Sequence, residues 1–353
     1  MNNIEFIHKE DNHFLDYWNS FLDKHPHSIH YHRDFINYLY SYCNIEKDLS
    51  FIAKKNDIII GICFVPIEVI NNQKSITLSR GYTPIPLSIN IKSEKIIFEY
   101  LEQLIKQNNI TNVKMFTDSN LEFNINNQYN HLKRYNFLET NSLNLTIDLT
   151  LEEEQLWSNL SKSFKSLINK YKKNTTHSLH IMNKDNPQWD IMETFWQLHK
   201  SVAQENARDI SLFHAQYDLI QKGLATLIYI QNNKEYISFG LFFHYNQYAT
   251  YASSVSKNIE SKPPLSHYIL WNAITNFKKS HHKLIQFGQP SCFSKTSGID
   301  DVASDKELYI ASFKRNMGAI PSTFYRGIKF YNPQKLKEFL DNYYHRWLKE
   351  NEE

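Results

Sequence analysis

Residues 225–256, ATLIYIQNNKEYISFGLFFHYNQYATYASSVS, decide the fold, because they contain three apolar runs separated by Asn-rich breaks. Short runs of β-branched and aromatic residues with such breaks are typical of an antiparallel meander. Residues 49–79, LSFIAKKNDIIIGICFVPIEVINNQKSITLS, repeat the pattern in the first half of the chain. Gly61 and Gly240 fall at the same place in the middle run, where glycine indicates a bulge or a close backbone approach. The sequence therefore contains the same meander twice.

The segments that follow each meander also correspond. TPIPLS at 83–88 and SKPPLS at 261–266 each lead into a helical pattern, in which proline ends the extended segment and serine is expected to cap the helix. A short strand comes next, and then HLKRYNF at 131–137 matches SFKRNMG at 312–318. Four features in the same order indicate a tandem duplication. Each half is predicted as helix, helix, three-stranded meander, helix, strand, helix and strand, an α/β fold with a mixed, mostly antiparallel sheet flanked by helices.

The duplication sets the expected domain limits. Residues 1–147 form the first domain, 148–324 the second, and a helix within 325–353 completes the first. The second half is predicted to open with one amphipathic helix at 156–173, LWSNLSKSFKSLINKYKK. Its apolar residues follow the three- and four-residue spacing of a helix. They are Trp157, Leu160, Phe164, Ile168 and Tyr171.

Bulk properties exclude several classes of protein. The chain has 353 residues, which exceeds the usual size of one hydrophobic core, and its net charge of +2 favours neither DNA nor a membrane surface as partner. Cys43, Cys63 and Cys292 form no CxxC pair, which favours a reducing compartment. No apolar run approaches the roughly 20 residues of a membrane span, and the N-terminus lacks the apolar core of a signal peptide. We expect a cytoplasmic protein without a transmembrane segment.

This order of elements is that of the GNAT acyltransferase fold, and two such units in tandem resemble the FemABX-type family, which includes the FemAB-like N-acyltransferases. The pattern Phe-Lys-x-x-Met-Gly, preceded by a Phe-Gly strand end, carries the resemblance. Its residues are Phe313, Lys314, Met317 and Gly318, with Phe287 and Gly288 before them. The helix at 156–173 is also similar to the one that opens the family's second unit. The resemblance implies two tandem GNAT-like domains.

The resemblance also implies a reaction class. Family members transfer an aminoacyl group from aminoacyl-tRNA, or an acyl group such as acetyl from acyl-CoA, to an amine on a glycan or peptidoglycan precursor. The amine must be neutral and aligned, and the developing oxyanion needs N–H donors or a cation, so no metal is expected. Because the chain has neither a coiled-coil arm nor strong basic charge for tRNA, acyl-CoA is the favoured donor. Two alternatives stay open: a tRNA-dependent cross-bridge ligase, and an inactive GNAT pair that binds a nucleotide sugar or a partner.

A Gly-rich loop for pyrophosphate, which coenzyme A-dependent GNAT enzymes normally carry, is absent from both halves of the sequence. Proline occupies the corresponding segments and removes N–H donors there. FemABX-like proteins share this departure. Lys257 and Lys262 are candidate phosphate contacts in its place, and solvated loop charges are the alternative.

Lys314 is the leading catalytic candidate, because the matching lysine of the family lies near the reaction centre, where it would offset negative charge. The alternative is that Lys314 and Arg315 line a solvated helix face before a C-cap glycine. Tyr251 and Ser254 are further catalytic candidates, since one face of their strand is expected to point into a cleft, where hydroxyls would orient an amine or a sugar. Polar residues on an ordinary half-exposed strand are the alternative. The predicted substrate-binding residues are Arg315, Arg208, Gln289, Ser253 and Lys257.

Two other segments invite a functional interpretation. The run HPHSIHYHR at 25–33 contains four histidines within one short loop, whereas zinc sites draw ligands from several elements, so no metal is predicted. The polar loop at 290–306 is long enough to be a substrate-gating loop, and disorder without a catalytic role is the alternative.

Overall fold

The computed structural model describes residues 4–117, 129–173, 176–259, 263–295 and 298–351. These residues belong to two compact units. Unit 1 is drawn from Met1–Ser142, Thr296–Val302 and Thr323–Glu353, and unit 2 from Leu143–Lys295 and Ala303–Ser322. The chain therefore leaves unit 1 and returns to it twice.

Helices and strands occur throughout the described ranges. The elements up to residue 139 are β1 (Ile4–His8), α1 (Phe14–Leu22), α2 (Arg33–Tyr42), β2 (Ile45–Asp48), β3 (Phe51–Lys55), β4 (Ile58–Cys63), β5 (Pro66–Ile70), β6 (Gln73–Ile76), β7 (Thr83–Pro84), β8 (Leu87–Ser88), α3 (Ile91–Gln107), β9 (Ile110–Phe116) and β10 (Leu138–Glu139). The later elements are β11 (Ser142–Asp148), α4 (Glu153–Asn159), α5 (Lys162–Lys172), β12 (His177–Met182), α6 (Trp189–Ala203), α7 (Ile210–Gln221), β13 (Ala225–Asn232), β14 (Glu235–Tyr245), β15 (Tyr248–Ser256), α8 (Leu265–Lys279), β16 (Leu284–Gln286), α9 (Asp305–Asn316), β17 (Ile320–Phe324), β18 (Arg326–Phe330) and α10 (Pro333–Asn351). Short 3₁₀ helices lie at Ile29–Tyr31, His131–Tyr135 and Gln204–Asn206.

Unit 1 contains two sheets. One has the strand order β1-β3-β4-β8, and the other has the order β10-β18-β9-β6-β5-β2, with β7 also paired to β9. Strand β18 is synthesised last but lies between β10 and β9. Helix α3 buries Ile97 and Leu101 against the strands, in one core with Phe51 and Val113.

Strands β6 and β9 of unit 1 separate after a short parallel pairing, which spans Lys74, Ser75 and Ile76 of β6. Strand β7 then pairs with β9 at Met115 and Phe116, directly beyond the end of the β6 pairing. The chain of unit 1 therefore occupies the gap that its own strands leave.

A buried carboxylate stabilises the turn between β6 and β7, which allows the chain to return along β9. Glu68 is 4% exposed and accepts hydrogen bonds from Thr77 Oγ1 (2.6 Å), Ser79 N (2.7 Å) and Arg80 N (2.9 Å). Ser79 and Arg80 have φ values of 50° and 64°, which residues other than glycine rarely adopt. A buried carboxylate needs such donors, and here it obtains them by bending the chain away from the sheet.

Unit 2 has a seven-stranded sheet with the order β12-β13-β14-β15-β16-β11-β17. Strands β12 to β15 are antiparallel neighbours, β15 and β16 are parallel, and β16 and β11 are antiparallel. Helix α8 buries Ile269, Leu270 and Phe277 in one core with Phe242 of β14 and Ile168 of α5. The predicted fold class, a mixed and mostly antiparallel α/β architecture with flanking helices, is confirmed.

The two meander glycines play equivalent roles. A Cβ on Gly61 would lie 2.4 Å from Ile97 Cδ1 of α3, and one on Gly240 would lie 2.7 Å from Ile269 Cγ2 of α8. In each unit the helix after the meander therefore crosses the middle strand at its glycine. A close backbone approach is confirmed at Gly61, where a Cβ would lie 2.5 Å from Leu87 O, whereas the near neighbours of Gly240 are side chains.

Local details differ from the sequence predictions. The single helix expected at 156–173 is two helices, α4 and α5, because Ser161 between them is an N-cap that accepts from Phe164 N. Serine caps neither helix after the meanders: Asn90 caps α3, and α8 starts directly after Pro264. Strand β12 was not predicted, and the fourth helix of unit 1 is only the 3₁₀ helix at His131–Tyr135.

Candidate functional site

The site in unit 2 begins where two parallel strands part. β15 pairs with β16 only at Tyr248, Ala249 and Thr250, whereas β15 stays paired with β14 as far as Ser256. β16 ends at Gln286, and the chain turns at Gly288, whose φ is 58°. The far half of β15 therefore has an unpaired edge. Backbone N–H and C=O groups on that edge can hydrogen-bond a ligand.

A cavity of about 640 Å³ fills the opening between these strands. That volume lies within the range of small-molecule sites. Helices α8 and α9 and the segment after β16 complete its walls. The described residues that line it are Leu167, Tyr251, Ala252, Ser253, Ser254, Ser256, Lys257, Asn258, Ile259, Pro263, Pro264, Leu265, Ser266, His267, Phe287, Gln289, Pro290, Tyr309, Ile310, Phe313 and Lys314.

Lys314 is a buried cation in the wall of this cavity. Its side chain extends from the last turn of α9, is 3% exposed, and donates from Nζ to the carbonyl oxygens of Gly288 and Pro290, both at 3.1 Å. Burial lowers the pKa of Lys314 to about 8, so it is mostly charged at pH 7. The alternative of a solvated helix face is wrong for Lys314.

Gly318 allows the helix that carries Lys314 to end where it does. Its φ is 85°, and a Cβ there would lie 3.2 Å from Asn159. A side chain would be strained by the backbone conformation and crowded by Asn159. The glycine after the two cations therefore ends α9 close against residue 159.

Tyr251 and Ser254 lie together on the cavity wall. The Tyr251 hydroxyl donates a hydrogen bond to Ser254 Oγ, and burial raises the pKa of Tyr251. Strict alternation would put these residues on opposite faces, but the register of β14 and β15 shifts between Leu241 and Phe242, which adds one residue to β15. This bulge brings Tyr251 and Ser254 into contact, and Ser253 also lines the cavity.

Gln289 and Lys257 line the cavity but have partners in the protein. Gln289 Nε2 donates to Leu143 O at 2.9 Å, and its Oε1 accepts from Ser291 at 3.0 Å. Lys257 pairs with Glu235, and both side chains are about half exposed, so this pair is easily exchanged for a ligand. Lys262, the other predicted phosphate contact, lies outside the described residues.

Arg315 and Arg208 are not among the residues that line the cavity. Arg315 donates from Nη1 to Cys292 O at 3.0 Å, and its guanidinium lies 4.3 Å from the Phe293 ring. Arg208 lies between α6 and α7, where its carbonyl accepts from Trp196 Nε1. Burial lowers the pKa of His199, and the charge of Arg208 adds to that effect. The structure therefore brings six of the eight predicted residues together and leaves these two arginines apart from them.

Sequence reasoning missed His267. It lies in the first turn of α8 and lines the cavity, with its imidazole 4.3 Å from the Phe164 ring and 4.9 Å from the Phe313 ring. Burial lowers its pKa to about 4, so the ring is neutral at pH 7. The only signal in the sequence is its place just after SKPPLS, at the start of a helix.

The electrostatic character of the cavity follows from its composition. Lys314 and Lys257 are its cations, and none of the described residues that line it is Asp or Glu; residues 260–262 lie outside the described part. Within the described ranges, no three His, Cys, Asp or Glu side chains are grouped to hold a metal ion, including the four histidines at 25–33.

Part of the loop predicted to gate substrate is fixed. Asp300 forms an ion pair with Lys114 (2.9 Å) and accepts from the Tyr82 hydroxyl (2.6 Å), and Asp301 pairs with Arg326 at 2.6 Å. These contacts lie within unit 1 and are largely buried. They argue against a freely moving gate at 298–302.

Solved structures share this fold. FemX superimposes with a TM-score of 0.62 and 11% identity, over 91% of this chain and 96% of that one. A tandem GNAT protein from the clavulanic acid biosynthesis pathway gives 0.54 and 9%, over 94% and 99%. L-PGS from Bacillus licheniformis gives 0.56 and 8%, over 91% and 94%. The tandem GNAT fold that the FemABX resemblance implied is confirmed.

No protein-family model matches the chain. No curated protein matches it either. Across the described residues, none of the helices combines the length and apolar character required to cross a membrane.

Proposed function

We propose that unit 2 transfers an acyl group from an acyl-CoA thioester to an amine of a surface-glycan or cell-wall precursor. The observation that carries the proposal is the opening between β15 and β16. It combines an unpaired strand edge with a cavity of about 640 Å³ and a buried lysine in the cavity wall. An extended amide-containing ligand can pair with such an edge as an added strand does.

The charge of the cavity favours a thioester donor over an aminoacyl ester. An aminoacyl group carries an ammonium, which needs a carboxylate partner when it leaves water. The described lining offers lysines instead, and no Asp or Glu. The phosphates of coenzyme A suit Lys257, whose exposed pair with Glu235 costs little to break.

The reaction needs little from the protein beyond position and charge. The amine nitrogen forms a bond to the thioester carbon while the carbonyl π electrons move to oxygen. The carbon–sulfur bond then breaks, sulfur leaves with the electron pair, and the proton lost by nitrogen ends on sulfur. Lys314 offsets the negative charge, and Tyr251 with Ser254 supplies hydroxyls that orient the amine or carry the proton.

One structural neighbour supports the donor class. The tandem GNAT protein from the clavulanic acid biosynthesis pathway was solved in a form described as being without AcCoA, so that thioester is the ligand considered for a protein of this architecture. The acceptor class rests on the FemABX resemblance, with FemX among the structures of the same fold.

A thermal melt with coenzyme A, acetyl-CoA or a tRNA-charging mixture tests the donor. A ligand present at about 100 times its Kd adds roughly 2.7 kcal/mol to the free energy of unfolding, which raises the melting temperature measurably. We expect a rise with coenzyme A and acetyl-CoA, followed by release of free thiol when amino sugars are added. A rise only with the charging mixture would favour the aminoacyl ligase, and no rise would favour the inactive module.

A further inference from the structure

His267 is a polar group without a protein partner in an otherwise well-bonded site. Its Nδ1 atom is buried and has no hydrogen-bond partner in the described structure. Buried polar atoms are normally bonded, so an unbonded one needs a physical explanation. An atom that water cannot reach is also closed to a ligand, so Nδ1 bears on the tautomer of the ring and not on ligand binding. The other ring nitrogen, Nε2, is the one that can face the cavity, because the side chain belongs to the wall of that cavity.

The ring is held in one orientation. The Phe164 ring packs at 68° and 4.3 Å between centroids, and the Phe313 ring at 79° and 4.9 Å. Both are edge-to-face contacts of the kind that stabilise aromatic pairs. The imidazole is therefore preorganised by α5 on one side and by α9 on the other. Phe313 also precedes Lys314 in α9, so the histidine lies beside the helical turn that carries the buried cation.

The protonation state follows from the surroundings. The described residues that line the cavity include no carboxylate to favour an imidazolium, and burial lowers the pKa of His267 to about 4. In the neutral ring one nitrogen is a donor and the other an acceptor. An orphaned buried N–H is rarer than an under-satisfied acceptor, which puts the proton on Nε2. The Nε2–H group of His267 is then a rigidly held donor that has no hydrogen-bond acceptor within the described part of the protein.

We propose that the Nε2–H group of His267 donates a hydrogen bond to the carbonyl oxygen of the bound acyl donor, and to the oxyanion that forms when the amine attacks. This assignment rests on the proposed acyl transfer in unit 2. His267 gives up no proton in the step: the carbonyl electrons move to oxygen, return when the carbon–sulfur bond breaks, and the amine proton ends on sulfur. The donor is neutral, and Lys314 supplies the positive charge.

Three variants at one position test the role. A glutamine amide can place an N–H close to the Nε2 position, whereas the shorter asparagine amide reaches only the Nδ1 position. We expect His267→Ala and His267→Asn to lower kcat about 10²–10³-fold with little change in the KM for the amine acceptor, and His267→Gln to recover a large part of kcat. If His267 were a general base, glutamine would be as inactive as alanine, and that result would overturn the proposal.

A binding experiment separates this assignment from the proposed function. The wild type should bind acetyl-CoA more tightly than coenzyme A, and His267→Ala should lose the difference while still binding coenzyme A. Equal kcat for the wild type and His267→Ala would overturn only the assignment of His267. If the wild type binds neither ligand and transfers no acyl group, the proposed function is wrong and the assignment fails with it.

Discussion

The two units contain the same pair of parting strands and treat the gap between them differently. In unit 1, β6 leaves β9 and the chain returns as β7 to occupy the vacated edge. In unit 2, β15 leaves β16 after three paired residues, continues along β14 to Ser256, and leaves an open cavity. The comparison teaches that parting strands alone do not make a site. The site exists where the chain does not fill its own gap.

The lysines that follow show the same contrast. Lys133 and Lys314 hold matching places in the two Lys-Arg pairs. Lys133 lies on the short 3₁₀ helix, has a side chain 62% exposed, and pairs with Glu139 at 2.8 Å. Lys314 lies at the end of a twelve-residue helix and is 3% exposed. Only the lysine beside the open gap is buried.

The largest effect is expected from removing each of these lysines in turn. Lys314→Met should lower kcat about 10²–10³-fold, because a buried cation that faces developing negative charge is lost. Lys133→Met, its matched control, should leave kcat unchanged, since an exposed ion pair contributes little. Acyl transfer by folded protein, checked by thermal melt, is the measurement. Equal activity of the two variants would mean that the contrast in burial has no catalytic meaning.

The next effect concerns the turn that fills the gap of unit 1. Glu68→Gln should lower the free energy of unfolding by about 3 kcal/mol, because an amide cannot accept all three hydrogen bonds and is left buried. Glu46→Gln, on an exposed carboxylate 3.7 Å from Lys74, is the control and should cost less than about 0.5 kcal/mol. Urea unfolding at pH 7 measures both. Similar midpoints would show that Glu68 does not hold the turn.

Acid should destabilise unit 2 through its buried imidazoles. His244 bonds Thr226 Oγ1 at 3.0 Å and faces the His282 ring at 5.6 Å, and burial lowers its pKa from 6.5 to about 4. The unfolded chain therefore binds a proton first as the pH falls. The contribution is fully present above pH 6.5 and is lost between pH 6.5 and 4, by about 3 kcal/mol at most.

Urea midpoints at pH 7 and pH 4.5 measure this loss. His244→Gln, which cannot gain a proton in this range, should flatten the dependence relative to the wild type. An unchanged slope in the variant would assign the acid sensitivity to other groups.

The smallest effect is expected where each Lys-Arg segment ends. Gly318 and Asn136 have φ values of 85° and 61°. Gly318→Ala should cost about 1–2 kcal/mol, because alanine is strained there and its Cβ would crowd Asn159. Asn136→Gly should change the free energy of unfolding by only a few tenths of a kcal/mol, since glycine adopts the same backbone conformation without strain. Thermal melts measure the stability of both variants. An unchanged melting temperature for Gly318→Ala would contradict the predicted crowding.

The duplication and the fold class could be predicted from the sequence because they depend on local patterns. The alternation of apolar runs and Asn-rich breaks predicted the meanders, and the two glycines indicated a bulge or a close backbone approach in the middle strand of each. The break between α4 and α5 was missed because Leu160 continues the helical spacing across Ser161. A spacing pattern does not reveal a cap that interrupts it.

The difference between the two gaps could not be predicted, because it depends on a distant side chain. Glu68 lies nine residues before Thr77 in an apolar strand, and nothing local indicates that its carboxylate will bend the chain. The two Lys-Arg pairs look alike in sequence for the same reason: burial is set by what packs around them. The bulge that brings Tyr251 and Ser254 into contact could not be predicted either, because the sequence pattern assumes that residues alternate strictly between the two faces of the strand.

The place of β18 has a consequence for synthesis on the ribosome. Unit 2 ends at Ser322, so all of its residues have been made before β18 appears. Strand β9 must meanwhile wait with one edge uncovered, and an uncovered edge invites pairing with other chains. Synthesis of unit 1 thus starts before that of unit 2 but is completed after it. A chain truncated after Ser322 would contain every described residue that lines the cavity but would lack β18 of the unit 1 sheet.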